Sequence, residues 1–304
     1  MGVRIRVPAS TANLGPGYDS FGLALGLHNE FEAELAGEWS IEIGGEGAAH
    51  LERGPENPVV RAMARVFTEA GCPELRAEVA CHNGIPVGVG LGSSAAAIVG
   101  GLVLGDALSH AGLSRQRMLE IASEIEGHPD NVAAAIFGGF TVCSGSGGHL
   151  TCAQVDPAGG LAAVLVLGEH PLPTGDSRHA LPPTIEHAAA SGNAAHASLL
   201  ALGIALGNEE WIARGMHDRI HEDYRAALVP DLAVIRSLFT ATGVGPAVLS
   251  GAGPTMLALV SAPDDDLALD RARAATDLVR PLLAEVGRTR VLAVGIDRFG
   301  TRMV

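Results

Sequence analysis

The sequence predicts an α+β chain of two domains with a cleft between them, and three observations predict it. The 304 residues exceed one average domain and suffice for two cores. Strand-like and helical patterns interleave in both halves. A loop of Ser, Gly and His at 144–149 is the best candidate for a linker, which places the division at 1–155 and 156–304.

Along the chain, Val3-Arg4-Ile5-Arg6-Val7 alternates as a strand, and further strands are expected at 31–35, 39–43 and 75–81. Apolar spacing from Val59 to Ala70 predicts a helix, and a Gly-rich turn leads into an apolar one over Ala95–Leu108. Helices follow at Ser114–Glu124 and Asp130–Phe137, before Gly138-Gly139 breaks the pattern ahead of a strand Phe140–Cys143. The second half opens with Leu161–Leu167, whose length suits a buried strand. Helical patterns at Thr184–Leu206 and Leu232–Thr242 and strands at Ala247–Leu249 and Met256–Val260 come next. A helix to about Glu285 and a last strand Val291–Ile296 complete it.

Composition excludes several function classes. The formal charge of −14 argues against nucleic acid as a partner, because a phosphate backbone demands a basic surface. No run of about 20 apolar residues is free of glycine clusters and charges, so neither a membrane span nor a signal peptide is expected. Cys72, Cys81, Cys143 and Cys152 form no CxxC pair, which fits buried thiols in a reducing cytoplasm. All 20 basic residues are Arg. Without Lys, a P-loop, a protein-kinase site and a Schiff base are all excluded.

Four segments carry chemistry. Pro86–Ala97 runs through Gly88, Gly90 and Gly92 into a helix whose first turn holds Ser93 and Ser94. Unpaired N–H groups and the helix dipole there favour an anion; the alternative is a turn that merely starts a helix. Pro8–Gly22 reads as a tight loop presenting Asn13 and Asp19, residue types that also serve simply as turn-makers. Glu126-Gly-His-Pro-Asp-Asn131 concentrates polar groups between helices; Glu126 suits magnesium, while Asp130 and Asn131 suit capping. Leu249–Thr255 is a second Gly-rich turn between strands. His217 and His221, four apart on an expected helix, lack a third ligand and read as a solvated face.

Together these segments resemble the GHMP kinase superfamily, with Pro86–Ala97 similar to its phosphate-binding motif and Leu249–Thr255 to its C-terminal Gly-rich motif. Ser10–Asp19 and His128–Asn131 look like the branch that phosphorylates homoserine in threonine biosynthesis, and the resemblance runs from residue 3 to about 260. It implies an N-terminal ATP-binding domain with a left-handed βαβ unit (ribosomal S5 domain 2-like) and a ferredoxin-like C-terminal domain. ATP and Mg2+ are the implied cofactors. The phosphate site would comprise Pro86, Val87, Gly88, Val89, Gly90, Leu91, Gly92, Ser93, Ser94, Ala95 and Ala96, with Asn57 on the adenine and Ser94 and Glu126 around the metal. Asn13, Asp19, His128, Asn131, Thr174, Gly251 and Gly253 would line the acceptor, L-homoserine, whose carboxylate Arg178 and Arg225 would clamp. Asn13, Asp19, Ser94 and Glu126 would serve catalysis. Tyr18 departs from the usual Phe, and Val89 from a common basic residue, which puts nucleotide affinity in question. The resemblance also implies a cytoplasmic protein and is compatible with a homodimer. Alternatives are a mevalonate- or sugar-type acceptor, or a non-catalytic ligand-binding relative; no Asp–Lys base pair can exist, and no base is assigned.

Overall fold

In the computed structural model, which describes residues 2–304, two sheets share the chain. The first has the order β11-β1-β2-β4-β3, with β5 on β2 and β6 on β5. Its strands are β1 (Val3–Asn13), β2 (Gly17–Ala36), β3 (Ser40–Gly45), β4 (Arg76–Asn83), β5 (Phe140–Ser144), β6 (Thr151–Val155) and β11 (Arg302–Met303). β3 and β4 are parallel and joined through helix α1 (Pro58–Glu69), a βαβ unit. Asn57 caps α1, Pro58 opens it, and Val59, Met63, Val66 and Phe67 form its buried face at helical spacing.

Helix α2 (Ser93–Ser109) is apolar on all sides, as a helix enclosed by protein must be, and packs on α1, β1, α3 (Arg115–Glu126) and α4 (Asp130–Phe137). Its middle, Ala95–Gly105, is largely buried, and its N-terminal end faces the cleft.

The second sheet has the order β10-β7-β9-β8, all antiparallel, from β7 (Gly160–Val166), β8 (Val248–Leu249), β9 (Met256–Ala262) and β10 (Val291–Gly295). With helices between β7 and β8 and between β9 and β10, this is the ferredoxin-like arrangement. β7 is buried along its whole length because both faces are covered. Ala162, Val164 and Val166 pack with α9 (Leu232–Ala241) and α10 (Asp265–Ala284), while Leu161, Ala163 and Leu165 join the core of the first sheet. One apolar core therefore continues from one lobe into the other.

Several expectations need correction. Residues 144–149 are not a linker but the turn of the β5–β6 hairpin inside the first sheet. Within Pro8–Gly22, read as a loop, residues 8–13 and 17–22 are strand, because β1 and β2 pair from Val3–Ala33 up to the turn at 14–16. Helices α5 (Thr174–His179), α7 (Glu209–Gly215) and α8 (Glu222–Arg225) are additional. The last strand, β11, returns to β1 from the C-terminal half, tied by Asp297, which accepts from His28 Nε2 at 2.7 Å and Arg302 Nη1 at 2.9 Å. Helix α6 (His187–Leu206) is long and apolar enough to cross a membrane by length and composition alone, a test that core helices of soluble proteins also pass. It packs against α7 and buries Asn193, Leu200, Gly203 and Ile204.

Candidate functional site

The cleft holds a cavity of about 290 Å3 that joins the four chemistry-bearing segments. Its floor is the Gly-rich turn. Gly90 (φ 85°) and Gly92 (φ 67°) occupy the left-handed region, and a Cβ on them would stand 2.3 Å from Ser250 O and 2.1 Å from Ser10 Oγ. Glycine thus lets three backbone segments converge. Ser250 Oγ donates to Gly90 O (2.6 Å), Thr255 N to Val89 O (3.3 Å) and Gly251 N to Ala12 O (3.0 Å), locking the two Gly-rich turns together.

Gly92 caps α2 without a side-chain acceptor, and no acidic residue lies in the first turn. The leading N–H groups and the dipole of a 17-residue helix therefore open onto the cavity, a site made for an anion. Ser94 Oγ donates to Glu126 Oε2 (2.8 Å), and both side chains line the cavity. Burial raises the Glu126 pKa, against the lowering effects of Ser94 and His128. A partly desolvated carboxylate beside a hydroxyl at a phosphate cradle fits the donor chemistry of Mg2+, which takes one or two carboxylates and completes its shell with phosphates and water. Among the described residues no trio of His, Cys, Asp or Glu forms a self-sufficient metal cluster.

Beside the cavity, Asn13, Leu14 and Asp19 adopt positive φ, a strained state for residues with a Cβ. Asn13 accounts for much of it, since Oδ1 accepts from Asp19 N (3.0 Å) and Nδ2 donates to Gly251 O (2.8 Å). His128 Nδ1 pairs with Asp130 Oδ1 at 2.7 Å. Burial pulls the His128 pKa down, but the Asp130 hydrogen bond and the Asp130 and Glu126 charges outweigh it, and the net shift is upward. Asn131 Oδ1 accepts from Ser10 Oγ (3.0 Å), tying the start of α4 to β1.

The two arginines differ. Arg178 is half-buried and forks Asp19 through Nη2–Oδ1 (2.6 Å) and Nη1–Oδ2 (3.0 Å), and its Nη1 also donates to Tyr18 Oη (3.1 Å). Arg225 is 2% exposed and donates only to neutral acceptors: Ser177 O (3.2 Å), Gly251 O (3.2 Å) and His221 Nδ1 (3.0 Å). Burial lowers its pKa, yet a guanidinium stays charged, so the cavity wall carries a cation with no carboxylate in direct contact, Asp19 and Asp218 acting on it only through space. Both guanidinium groups lie against the Tyr18 ring, 5.7 and 5.6 Å from its centroid. The hydroxyl that distinguishes Tyr18 from Phe is thus one of the groups that hold Arg178.

His221 is not on a solvated helix face. It is fully buried, its pKa pushed down to about 4 by burial, and neutral. Nε2–H donates to Gly15 O (2.8 Å), which leaves Nδ1 to accept from Arg225. Asp218 Oδ2 gathers the N–H groups of Ile220, His221 and Glu222, so Asp218–Arg225 is a capped turn that aims Arg225 at the cavity.

Of the expected site residues, Asn13, Asp19, Asn57, Val87, Gly88, Gly90, Leu91, Gly92, Ser93, Ser94 and Glu126 line the cavity. So do His128, Asn131, Thr174, Arg178, Arg225, Gly251 and Gly253. Pro86, Val89, Ala95 and Ala96 do not: they are buried behind the wall, and Ala96 N–H is already used by Gly92 O. Val89 thus sits in the core rather than against the phosphate cradle. The sequence reading missed Asn29, Phe31, Ile43, Cys81 and Asn83, which form a wall beside Asn57. Asn29 pairs with Asn83 and Phe31 with Cys81 across β2 and β4, so period-2 alternation along a full-length β2 would have found them.

The GHMP kinases N terminal domain model matches residues 57–139, and the GHMP kinases C terminal model matches 198–277. The chain is 39% identical over 268 residues to homoserine kinase of Streptomyces coelicolor, covering 87% of this chain and 86% of that one. It is 35% identical over 306 residues to homoserine kinase of Synechococcus sp. RCC307, covering 99% and 95%. In structure it is similar to homoserine kinase from Cytophaga hutchinsonii, with a TM-score of 0.87 at 24% identity over 100% of this chain and 97% of that one.

Proposed function

The chain belongs to the homoserine kinases of the GHMP kinase family, and from that membership we propose that it transfers the γ-phosphoryl group of ATP to the side-chain hydroxyl of L-homoserine, giving O-phospho-L-homoserine. The observation that carries this reading is one cavity with an anion cradle at the α2 N-terminus and, elsewhere on its wall, a buried Arg225 that touches no carboxylate. That part of the wall suits a small carboxylate-bearing acceptor rather than a neutral sugar.

The α2 amides, Ser93 and the Gly90–Gly92 backbone would hold the phosphates, and the Asn57 wall the adenine. Ser94 and Glu126 would hold Mg2+, which when bound neutralises phosphate charge. Arg225, assisted by Arg178, would take the acceptor carboxylate, while Asp19 and His128 would face its amino and hydroxyl groups. Catalysis on this reading is in-line positioning and charge neutralisation, and it needs no lysine. We also read the chain as two functional lobes, 1–155 and 156–304, with the site between them. The test is ATP consumption with homoserine, mevalonate, galactose and no acceptor, with the product identified by mass. Homoserine-dependent turnover giving O-phosphohomoserine is expected; faster turnover on mevalonate or galactose, or none on any acceptor, overturns the reading.

A further inference from the structure

The geometry points to Cys143 and Cys152 as a redox-active pair that a hydroperoxide converts into an intramolecular disulfide, a modification site outside the phosphoryl-transfer cavity. Cys143 on β5 stands directly opposite Cys152 on β6 in the antiparallel register. Directly opposed residues project to the same side of a sheet. Their Cα atoms lie about 4.5 or 5.5 Å apart depending on the type of pair, and both values fall within the roughly 4.4–6.8 Å that a disulfide spans. The register thus sets the two backbones at a separation that a disulfide can bridge.

The two sulfurs divide the chemistry. Cys152 is half-buried and reachable, and the neighbouring Cys143 thiol lowers its pKa, which favours the thiolate that attacks. Cys143 is 3% exposed, and the neighbouring Cys152 sulfur, together with burial, raises its pKa. It is the less suited of the two to meet the peroxide first, and its position opposite Cys152 makes it the resolving thiol once Cys152 is oxidised. In the first step the Cys152 thiolate attacks the peroxide, an S–O bond forms, the O–O bond breaks, and water leaves after proton uptake. In the second, the Cys143 sulfur attacks the sulfenic sulfur, an S–S bond forms, the S–O bond breaks, and a second water leaves. Two thiols and one hydrogen peroxide thus give one disulfide and two waters.

The other cysteines lack this arrangement. Cys81 faces Phe31 and Ile43 across its strand pairs and is buried, its pKa pushed up to about 12 by burial; Cys72 lies outside any strand. The pair is also close to the cavity's supports. Cys143 O accepts from Ser20 Oγ (2.6 Å), next to Asp19, and Cys143 Sγ lies 4.0 Å from the carbonyl of Pro129, between His128 and Asp130.

The test is peptide mapping of the full-length protein under non-reducing conditions after hydrogen peroxide treatment, with dimedone as the probe for sulfenic acid. A Cys143–Cys152 peptide lighter by two hydrogens, and reversed by dithiothreitol, is expected. In Cys143→Ser, dimedone should label Cys152, and in Cys152→Ser, Cys143 should stay unlabelled. Absence of the linked peptide while Cys72 or Cys81 oxidises overturns the proposal, and so does dimedone labelling of Cys143 in Cys152→Ser. The wild-type mapping requires no substitution, so a variant that fails to fold leaves the main result standing.

Discussion

Arg225→Met is the substitution that weighs most on how the acceptor is chosen. It keeps the apolar length of the side chain and removes a charge that is 2% exposed and hydrogen-bonded only to Ser177 O, Gly251 O and His221 Nδ1. A carboxylate entering the cavity meets that cation without having to displace another anion. A charge-assisted hydrogen bond contributes roughly 1.5–3 kcal/mol, and about 1.4 kcal/mol is tenfold, so kcat/KM for homoserine should fall ~10- to 100-fold. Arg178→Met should cost less, because Arg178 must first release Asp19 from bonds of 2.6 and 3.0 Å. Stability is a poor readout here: relief of a buried cation opposes the loss of donors for three acceptors. The assay is steady-state kinetics with homoserine and with its amide, which lacks the negative charge. Wild type should prefer the acid strongly, Arg225→Met should lose most of that preference, and the KM for ATP should hold within about twofold. An unchanged acid-to-amide ratio in Arg225→Met would refute direct contact, however large the loss of rate.

Two further outcomes follow from the same geometry. Glu126→Gln should raise the magnesium needed for half-maximal rate, and in the parent protein that requirement should climb toward acid pH, because burial raises the Glu126 pKa and the protonated form cannot ligate; titrating Mg2+ at several pH values checks both, and a parent requirement flat with pH counts against the ligand role. Asp297 is pushed upward by burial, but hydrogen bonds from His28, Arg302, Phe299 N and Gly300 N hold it down at about 2, so its contribution is present above its unfolded value near 3.8 and is lost as pH falls from about 4 to about 2. Asp297→Asn should therefore flatten the acid limb of a thermal-denaturation profile by about 2 kcal/mol, and a profile that still falls as in the parent would count against that anchor.

The contrast between Arg178 and Arg225 shows where legibility ends. Both residues are visible in the sequence as arginines in short polar segments, and both reach the cavity. Nothing in local spacing says that one is paired with Asp19, 159 residues away, while the other is left without a carboxylate. His221 shows the same limit from the other side, since a spacing of four suggested a solvated helical face and packing made it a buried acceptor. The β2 wall was missed for a different reason. Gly22, Gly26 and charged residues interrupt the apolar alternation of a 20-residue strand that is buried on both faces over Phe21–Leu25 and on one face over Asn29–Ala33.

By itself the sequence determined the Gly-rich turn that opens α2, the absence of any lysine-based mechanism and the kinds of polar side chain that line the cavity, because each is written in contiguous residues whose backbone demands are local. Glycines before a helix and small serines in its first turn leave its leading N–H groups open to an anion. Only the tertiary structure decided that Asn13 would pin Gly251 across 238 residues, that β11 would return to β1, and which arginine would touch no carboxylate. Those outcomes depend on which surfaces the shared core brings together, and contacts across such separations are settled by packing and desolvation rather than by local conformational preference.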